Sequence, residues 1–226
     1  MPPDFSIPKE VESYIARVER HVPGVRDMQR MAGLLLAENQ RSEADILVLG
    51  AGGGLELKAF AEMHPGWRFH GVDPSAEMLD LARATVGTEN MQRVELTKGY
   101  IEDAPDGAYD GAACLLTLHF LERELRLETL RQMRRRLRTG APLIVAHHSF
   151  PKEDGGQDRW LQRNAALLVS GGFDPAKAEA MIEVMKKQLP ALSPGEDESL
   201  LREAGFADIE LFYAAFTFKG WVARAG

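Results

Sequence analysis

The chain has 226 residues, with 27 Lys and Arg against 34 Asp and Glu, so its formal net charge is −7 at neutral pH. Hydrophobic residues make up 45% and cysteine occurs once. This composition is typical of one soluble globular domain and excludes a collagen, a disordered tail and a disulfide scaffold. The acidic balance argues against sequence-independent binding to phosphates. We therefore expect no tRNA or other nucleic acid as a partner.

Three features of the sequence favour a cytoplasmic protein. The lone Cys114 cannot form an internal disulfide, which favours a reducing compartment. No uncharged segment reaches the roughly 18 residues that a membrane span requires. The start of the chain, MPPDFSIPKE, has neither the basic residues nor the apolar stretch of a signal peptide.

Short aliphatic runs alternate with helical patterns through the first two-thirds of the chain, which is typical of βαβ units and a mostly parallel sheet. An amphipathic helix is predicted after Glu122, ending before Thr139 and Gly140. We interpret its arginines between positions 131 and 138 as a solvated face rather than an RNA-binding surface. The predicted strands are residues 46–49, 69–72, 94–98, 111–116 and 143–147.

The segments on either side of this region predict helices and a hairpin. Two helices joined at Pro23 and Gly24 precede the first strand. Asp174 and Ser193, each followed by proline, are typical helix starts. Two β-rich runs at the end predict an antiparallel hairpin. We therefore expect a single domain with four parts: an N-terminal helical cap (1–44), a core (45–149), a helical insertion or lid (150–198), and a final helix with the hairpin (199–226).

A glycine-rich turn follows the first predicted strand and leads into a helical pattern. Gly50, Gly52 and Gly54 stand in this turn. Glycine is needed there because the backbone angles are unusual and because a ligand approaches the main chain closely. The second predicted strand ends near Asp73, nineteen residues after Gly54. This places a carboxylate beside the loop, where it can accept both hydroxyls of a ribose.

The glycine spacing separates two classes of nucleotide-binding protein. The dinucleotide fingerprint G-x-G-x-x-G requires a glycine where this chain has Leu55. The pattern G-x-G-x-G instead resembles that of the class I S-adenosylmethionine-dependent methyltransferases. Other segments resemble this family in the same order: GVDPSAEMLDLA at 71–82, KGYIED at 98–103, YDG at 109–111, LHFL at 118–121, LRTGAPL at 137–143 and LREAGF at 201–206.

The resemblance implies a fold, a cofactor and a set of binding residues. The fold is α/β: a Rossmann-like sheet of seven mostly parallel strands, with a C-terminal antiparallel hairpin, helices on both faces, and helical segments before the first and after the fifth strand. The cofactor is S-adenosyl-L-methionine and its product S-adenosyl-L-homocysteine. The implied cofactor-binding residues are Gly50, Ala51, Gly52 and Gly54 of the loop, Asp73 at the ribose, Pro74, Met78 and Ile101 at the adenine faces, and Tyr100, Glu102 and Leu116.

A narrower resemblance is to the carboxy-S-adenosylmethionine synthases of the tRNA wobble-uridine pathway, which transfer a carboxyl group from prephenate onto the cofactor. It is carried by Phe5, by RHVPG at 20–24, by LLTLHFLERE at 115–124 and by the GF…F…FKGWVA ending. The chain departs from that family at three positions, where Val25 replaces a tyrosine, Leu115 an asparagine and Leu200 a carboxylate-binding arginine. An extra carboxylate without a cationic partner costs several kcal/mol to bury. We therefore predict an ordinary methyltransferase and keep the synthase as the alternative.

Two further departures concern the cofactor's amine. The methyltransferase pattern has an acidic residue where this chain has Val48, and another where it has Tyr100. Main-chain groups of the glycine loop or the carboxylate of Glu56 are the two alternatives that remain for binding the amine. The same departures motivate a third hypothesis, a non-catalytic protein that only holds the cofactor.

Methyl transfer from a sulfonium is an in-line displacement that depends on alignment, so a catalytic base is optional. If the acceptor is a hydroxyl or an amine, His119 and His147 are the predicted bases, and His148 follows directly. The chain lacks an acidic or cysteine cluster at ligand spacing, so we expect no metal. We predict a small-molecule acceptor enclosed by the N-terminal helices and residues 150–198. The sequence leaves a homodimer open.

Overall fold

The computed structural model describes residues 8–38 and 42–226. Phe5, which contributes to the resemblance above, lies outside the described residues, as do the rest of 1–7 and residues 39–41. Within the described ranges, no helix has both the length and the apolar character that crossing a membrane requires.

The helices and strands follow the predicted order, and every predicted strand is present with bounds that differ by at most one residue at either end. In chain order the elements are α1 (Pro8–His21), α2 (Val25–Ala37), β1 (Asp45–Leu49), α3 (Leu55–Met63), β2 (Arg68–Asp73), α4 (Ala76–Met91), β3 (Val94–Lys98), β4 (Gly111–Leu115), α5 (Arg123–Arg136), β5 (Pro142–His148), α6 (Gly156–Ser170), α7 (Pro175–Gln188), α8 (Pro194–Glu203), β6 (Phe206–Ala215) and β7 (Phe218–Ala225).

The seven strands form one sheet in the order β3-β2-β1-β4-β5-β7-β6. Strands β1 to β5 pair in parallel, and β7 pairs antiparallel with both β5 and β6. The strand order reverses between β1 and β4, where Val48 lies between Gly71 and Ala113. The carboxyl ends of strands at such a reversal form the crevice where open α/β sheets bind ligands. The predicted fold class is confirmed.

Helices cover both faces of the sheet because alternate strand residues point to opposite sides. In β1, Ile46 and Val48 join one apolar cluster, which includes residues of α2 and α3. Leu47 and Leu49 join the other cluster, to which α5 and α8 contribute. All four side chains are buried. A near-continuous apolar strand is the expected consequence of burial on both faces.

The N-terminal helices are part of the packed structure. Gly24 lies between α1 and α2 with a φ of 64°, which confirms the predicted joint at Pro23 and Gly24. Tyr213 on β6 donates its hydroxyl hydrogen to the carbonyl oxygen of Pro23 at 2.5 Å. Met28 and Leu36 of α2 are fully buried in the core. The segment is therefore held against the sheet, and Val18 of α1 belongs to the same apolar core.

The helical insertion has its own small core and contacts the N-terminal segment. Phe150, Leu161, Ile182 and Ala191 form a separate apolar cluster around α6 and α7. The predicted caps are confirmed: the carboxylate of Asp174 accepts from the N–H of Lys177 at 2.9 Å, and the Ser193 hydroxyl accepts from the N–H of Glu196. The ring of His21 at the end of α1 meets that of Phe173 edge-on, with centroids 5.3 Å apart.

Replacement of Gly54 is expected to be more destabilising than replacement of Gly140. Both residues have positive φ, at 72° and 78°, so alanine costs about 1–2 kcal/mol at either. A Cβ at Gly54 would lie 2.8 Å from Cα of Ala82, whereas one at Gly140 would meet nothing within 4 Å. We expect Gly54→Ala to lose about 1–3 kcal/mol more than Gly140→Ala, measured by urea unfolding. Equal losses would contradict the close packing of the loop against α4.

Candidate functional site

The glycine loop between β1 and α3 is clamped against the end of β2 and the start of α4. The N–H groups of Gly50 and Ala51 both donate to the carbonyl of Val72, at 2.8 and 3.1 Å. The N–H of Gly53 donates to the carbonyl of Met78 at 3.0 Å. These bonds fix the path of the loop, which then enters α3 with Gly54 at its N-cap.

Glycine is needed at the loop positions for two different reasons: a positive φ at some, and a lack of space for a Cβ at others. Gly50, Gly53 and Gly54 have positive φ values of 75°, 82° and 72°. Gly52 does not, but a Cβ there would lie 2.6 Å from Oδ2 of Asp73. The spacing argument missed Gly53, although the unbroken run of glycines at 52–54 is a signal for it. The Gly53 backbone is covered by the ring of Tyr14 from α1, which a Cβ at Gly53 would meet at 2.6 Å.

Asp73 at the end of β2 is held in one orientation by two backbone donors. Its Oδ2 accepts from the N–H of Gly52 at 3.0 Å, and its Oδ1 accepts from the N–H of Ser75 at 2.9 Å. Burial raises the pKa of the carboxyl, and these two donors lower it. Each carboxylate oxygen retains acceptor capacity for a further donor. The structure thus joins the predicted loop and the predicted acid through a direct hydrogen bond.

The predicted adenine-side residues lie along the same edge of the sheet. The side chain of Met78 is buried below Gly52, and Pro74 is exposed. After β3, the short 3-10 turn Ile101–Asp103 buries Ile101 and leaves Glu102 and Tyr100 exposed. The turn is held by a residue that the helix pattern wrongly placed on a solvated face: the buried Arg136 guanidinium donates to the carbonyl of Ala104.

The end of β4 approaches the glycine loop through a strained residue. Leu116 has a φ of 60°, which is uncommon for a branched, bulky side chain. Such strain persists only where the surroundings determine it, and it clusters at functional sites. The N–H of Leu116 donates to the carbonyl of Ala146 at 2.6 Å. The next residue, Thr117, lies directly against Gly50 and leaves no room for a Cβ there.

His119 and His148 form a pair of neutral rings at this edge. Their centroids are 4.9 Å apart, and Nδ1 of His119 accepts from the backbone N–H of His148 at 3.2 Å. Burial is the main reason that the pKa of His119 lies well below its ordinary value and that of His148 falls to about 3. With its Nδ1 lone pair engaged, neutral His119 carries its proton on Nε2 and acts as a hydrogen-bond donor.

His148 has the opposite tautomer. Nδ1 of His148 lies 2.9 Å from Oγ1 of Thr217, and that hydroxyl donates to Oδ1 of Asn164. Because the Thr217 proton is directed to Asn164, the histidine must be the donor in the first contact. His148 therefore keeps the lone pair of its Nε2. Sequence reasoning did not identify Thr217 and Asn164, because they lie on distant elements.

His147 points to the other side of β5, as alternation along a strand requires. Its Nε2 lies 3.1 Å from Oδ1 of Asp197, which also forms an ion pair with the Arg126 guanidinium at 2.6 Å. All three side chains are buried. Removing one partner of such a pair costs about 3–5 kcal/mol. The geometry places the buried Asp197 carboxyl beside His147, and the predicted catalytic role of His147 stays a prediction.

Glu56 in the first turn of α3 is a buried acid that sequence reasoning left as one of two alternatives. Burial, followed by the charge of Asp73, raises its pKa to about 8. Burial also raises the pKa of Tyr14, and the charges of Glu56 and Asp73 add to this effect. These three groups therefore share one electrostatic environment beside the glycine loop. Among the described residues, no group of three His, Cys, Asp or Glu is arranged to hold a metal ion.

Comparisons with known proteins agree with this geometry. Residues 46–140 match the family model described as a methyltransferase domain. The chain is 26% identical over 233 residues to the carboxy-S-adenosyl-L-methionine synthase of Aeromonas hydrophila, covering 97% of this chain and 90% of that protein. Among solved structures, an O-methyltransferase family protein from Burkholderia thailandensis has a TM-score of 0.69 at 16% identity, covering 96% of this chain and 59% of that one.

A second solved structure, human N-acetylserotonin methyltransferase in complex with S-adenosylmethionine, has a TM-score of 0.61 at 18% identity and covers 97% of this chain. The chain covers about three-fifths of the length of each of these two solved structures. The similarity to a methyltransferase domain covers residues 46–140, and the fold is that of the class I S-adenosylmethionine-dependent methyltransferases. The chain is also similar along nearly its whole length to carboxy-S-adenosyl-L-methionine synthases.

Glu56→Gln is expected to remove a pH dependence of stability. The folded chain holds the Glu56 proton up to about pH 8, whereas the unfolded chain loses it near the ordinary glutamate pKa of 4.5. Between these values the folded state binds more protons, so the free energy of unfolding falls as pH rises, by at most about 1.4 kcal/mol per pH unit. Urea unfolding at about pH 5, 7 and 9 measures this. The exposed Glu62→Gln is the control, and parallel pH profiles for wild type and Glu56→Gln would contradict the burial of Glu56.

Proposed function

We propose that this chain transfers a methyl group from S-adenosylmethionine to a small-molecule acceptor at the carboxyl edge of the sheet. The observation that carries the proposal is the Asp73 carboxylate, oriented by the N–H groups of Gly52 and Ser75 beside the glycine loop. A rigid acceptor at this point suits the two vicinal hydroxyls of a ribose. The residues present therefore fit the cofactor of this enzyme class.

Each predicted cofactor-binding residue has a role in this proposal. The loop presents backbone without side chains to the ligand, and Asp73 accepts from the ribose. When bound, the cofactor supplies an electrophilic methyl group on a sulfonium and leaves as a neutral thioether. The residues that we assign to the adenine and to the centre of the cofactor are Pro74, Met78, Tyr100, Ile101, Glu102 and Leu116, with Gly50, Ala51, Gly52 and Gly54 at the loop.

The two neutral histidines would handle the acceptor. His119 offers an N–H donor and His148 offers the Nε2 lone pair, so together they match a hydroxyl or amine that must be oriented for the transfer. The Thr217 and Asn164 side chains hold the His148 tautomer. The low pKa of His148 keeps the ring neutral over the physiological range. The sequence predicts His119 and His147 as bases. We propose instead that His119 and His148 are the two histidines that contact the acceptor.

Carboxyl transfer is the second candidate, because the relative from Aeromonas hydrophila named above is a carboxy-S-adenosyl-L-methionine synthase. Two observations favour methyl transfer instead. Val25, Leu115 and Leu200, which stand where the resemblance implies polar or charged cofactor contacts, are at most 4% exposed and pack in the apolar cores. His119 and His148 are neutral and offer no positive charge to a second carboxylate.

The setting that we propose is cytoplasmic, in keeping with the single, buried and free Cys114. A homodimer is supported by the edge strand β6, where Leu211 is exposed, and by the neighbouring exposed Phe216. Exposed apolar side chains on an unpaired strand edge favour association with another chain.

Asp73→Ala is expected to weaken the binding of S-adenosylhomocysteine by about 10- to 100-fold, because hydrogen bonds to a charged acceptor contribute about 1.5–3 kcal/mol. Calorimetric titration of protein freed of carried-over ligand gives the affinity. The control is Asp80→Ala, an exposed acid on α4 that pairs with Arg83. Unchanged affinity in the Asp73 variant would refute the ribose role.

The reaction type is expected to be visible in the products. Incubation with methyl-labelled S-adenosylmethionine and a set of small hydroxyl and amine acceptors should yield S-adenosylhomocysteine and labelled acceptor in equal amounts, detected by mass spectrometry. The Asp73→Ala protein is the control for activity that does not depend on this site. Formation of a carboxylated cofactor with prephenate would contradict methyl transfer and support the synthase. Cofactor binding without turnover would support the non-catalytic hypothesis.

A further inference from the structure

The backbone N–H groups of the glycine loop are all used within the protein. Those of Gly50 and Ala51 donate to Val72, that of Gly52 to Asp73, that of Gly53 to Met78, and that of Gly54 to Ala51. An ammonium group is itself a donor and requires a carbonyl or a carboxylate as its acceptor. Val48, at the end of the preceding strand, is fully buried and apolar. The loop N–H groups therefore cannot bind an ammonium and Val48 supplies no carboxylate, so a carboxylate partner for an ammonium at this loop has to come from another position.

Glu56 is the acid that the fold brings to this place. It lies two residues after the loop, and its side chain is in the first turn of α3 with only 6% of the residue exposed. Among the described residues, no cationic side chain acts on its carboxyl, and the donor that reaches it is its own backbone N–H. A buried carboxyl without a cationic partner is costly when ionised. The protein keeps this buried carboxyl beside the glycine loop, which is the loop that we assign to the cofactor.

We propose that Glu56 binds the ammonium group at the amino-acid end of the cofactor. This inference rests on the proposed function, because it takes the ribose to lie on Asp73. A ligand held there by its ribose brings its amino-acid arm along the glycine loop, where Asp73 accepts from Gly52, Tyr14 covers Gly53 and Glu56 lies in the first turn of α3. Pairing with the ammonium supplies the positive charge that the protein leaves out.

Three titratable groups interact electrostatically with Glu56: the carboxylate of Asp73 on β2, the hydroxyl of Tyr14 on α1 and the thiol of Cys114 on β4. All three of these groups are neutral or negative. Ligand binding should therefore ionise Glu56, and a proton should leave the complex near neutral pH.

Calorimetric titration near pH 7 with two ligands isolates this contact. S-adenosylhomocysteine carries the ammonium, whereas 5′-methylthioadenosine has the same nucleoside and thioether but lacks the amino-acid arm. Glu56→Gln is expected to weaken the binding of S-adenosylhomocysteine by about 10- to 100-fold and to change that of 5′-methylthioadenosine by less than about twofold. Titration in two buffers of different ionisation enthalpy should show that wild type releases up to about one proton more than Glu56→Gln.

Glu62→Gln serves as the matched control, since Glu62 lies on the same helix with an exposed carboxylate. Wild-type affinity for S-adenosylhomocysteine in Glu56→Gln would overturn the inference, and so would an equal loss for both ligands, which would indicate a distorted loop. In either case Asp73→Ala would still report on the proposed function. If the wild-type protein binds neither ligand, the proposed function and this inference are both refuted.

Discussion

The hydrogen bonds that the Asp73 carboxylate accepts from the glycine loop and from the start of α4 organise the rest of the site. Because Asp73 accepts from Gly52 on one oxygen and from Ser75 on the other, the end of β2, the loop after β1 and the start of α4 are held in one arrangement. A larger residue than glycine at position 52 would collide with this carboxylate. The shape of the loop and the orientation of the acid therefore depend on each other, and both are set before any ligand binds.

Two buried acids in this chain, Asp197 and Glu56, have different electrostatic surroundings, and the difference points to function. Asp197 is compensated within the protein by Arg126 and His147, and its pKa is lowered despite burial. Glu56 is buried to a similar extent, but its pKa is raised to about 8 because no described cation faces it. A compensated pair stabilises the junction of α5, β5 and α8. An uncompensated acid beside the glycine loop costs stability, and our proposal that a ligand's ammonium supplies the missing charge accounts for its position there.

The histidines show how a one-residue step along a strand changes a side chain's role. His147 and His148 are adjacent in sequence, and both stand near the carboxyl end of a strand, so sequence alone treats them as equivalent. In the sheet they face opposite sides, and His147 meets Asp197 while His148 meets Thr217 and the ring of Phe218. Arg136 is a similar case: a helix pattern placed it on a solvated face, yet it is buried and holds the turn after β3.

The sequence by itself determined the elements, their order, the helix caps and the proximity of the glycine loop to Asp73. These follow from local periodicity, from turn chemistry at residues such as Gly24 and Asp174, and from the rule that carboxyl ends of parallel strands share one edge. Only the tertiary structure decided which side of β5 each histidine faces, that Tyr14 covers Gly53, that Thr217 and Asn164 set a tautomer, and that no cation among the described residues acts on the buried Glu56. These properties depend on contacts between residues 39 to 69 positions apart or on burial, and neither is encoded in a local pattern.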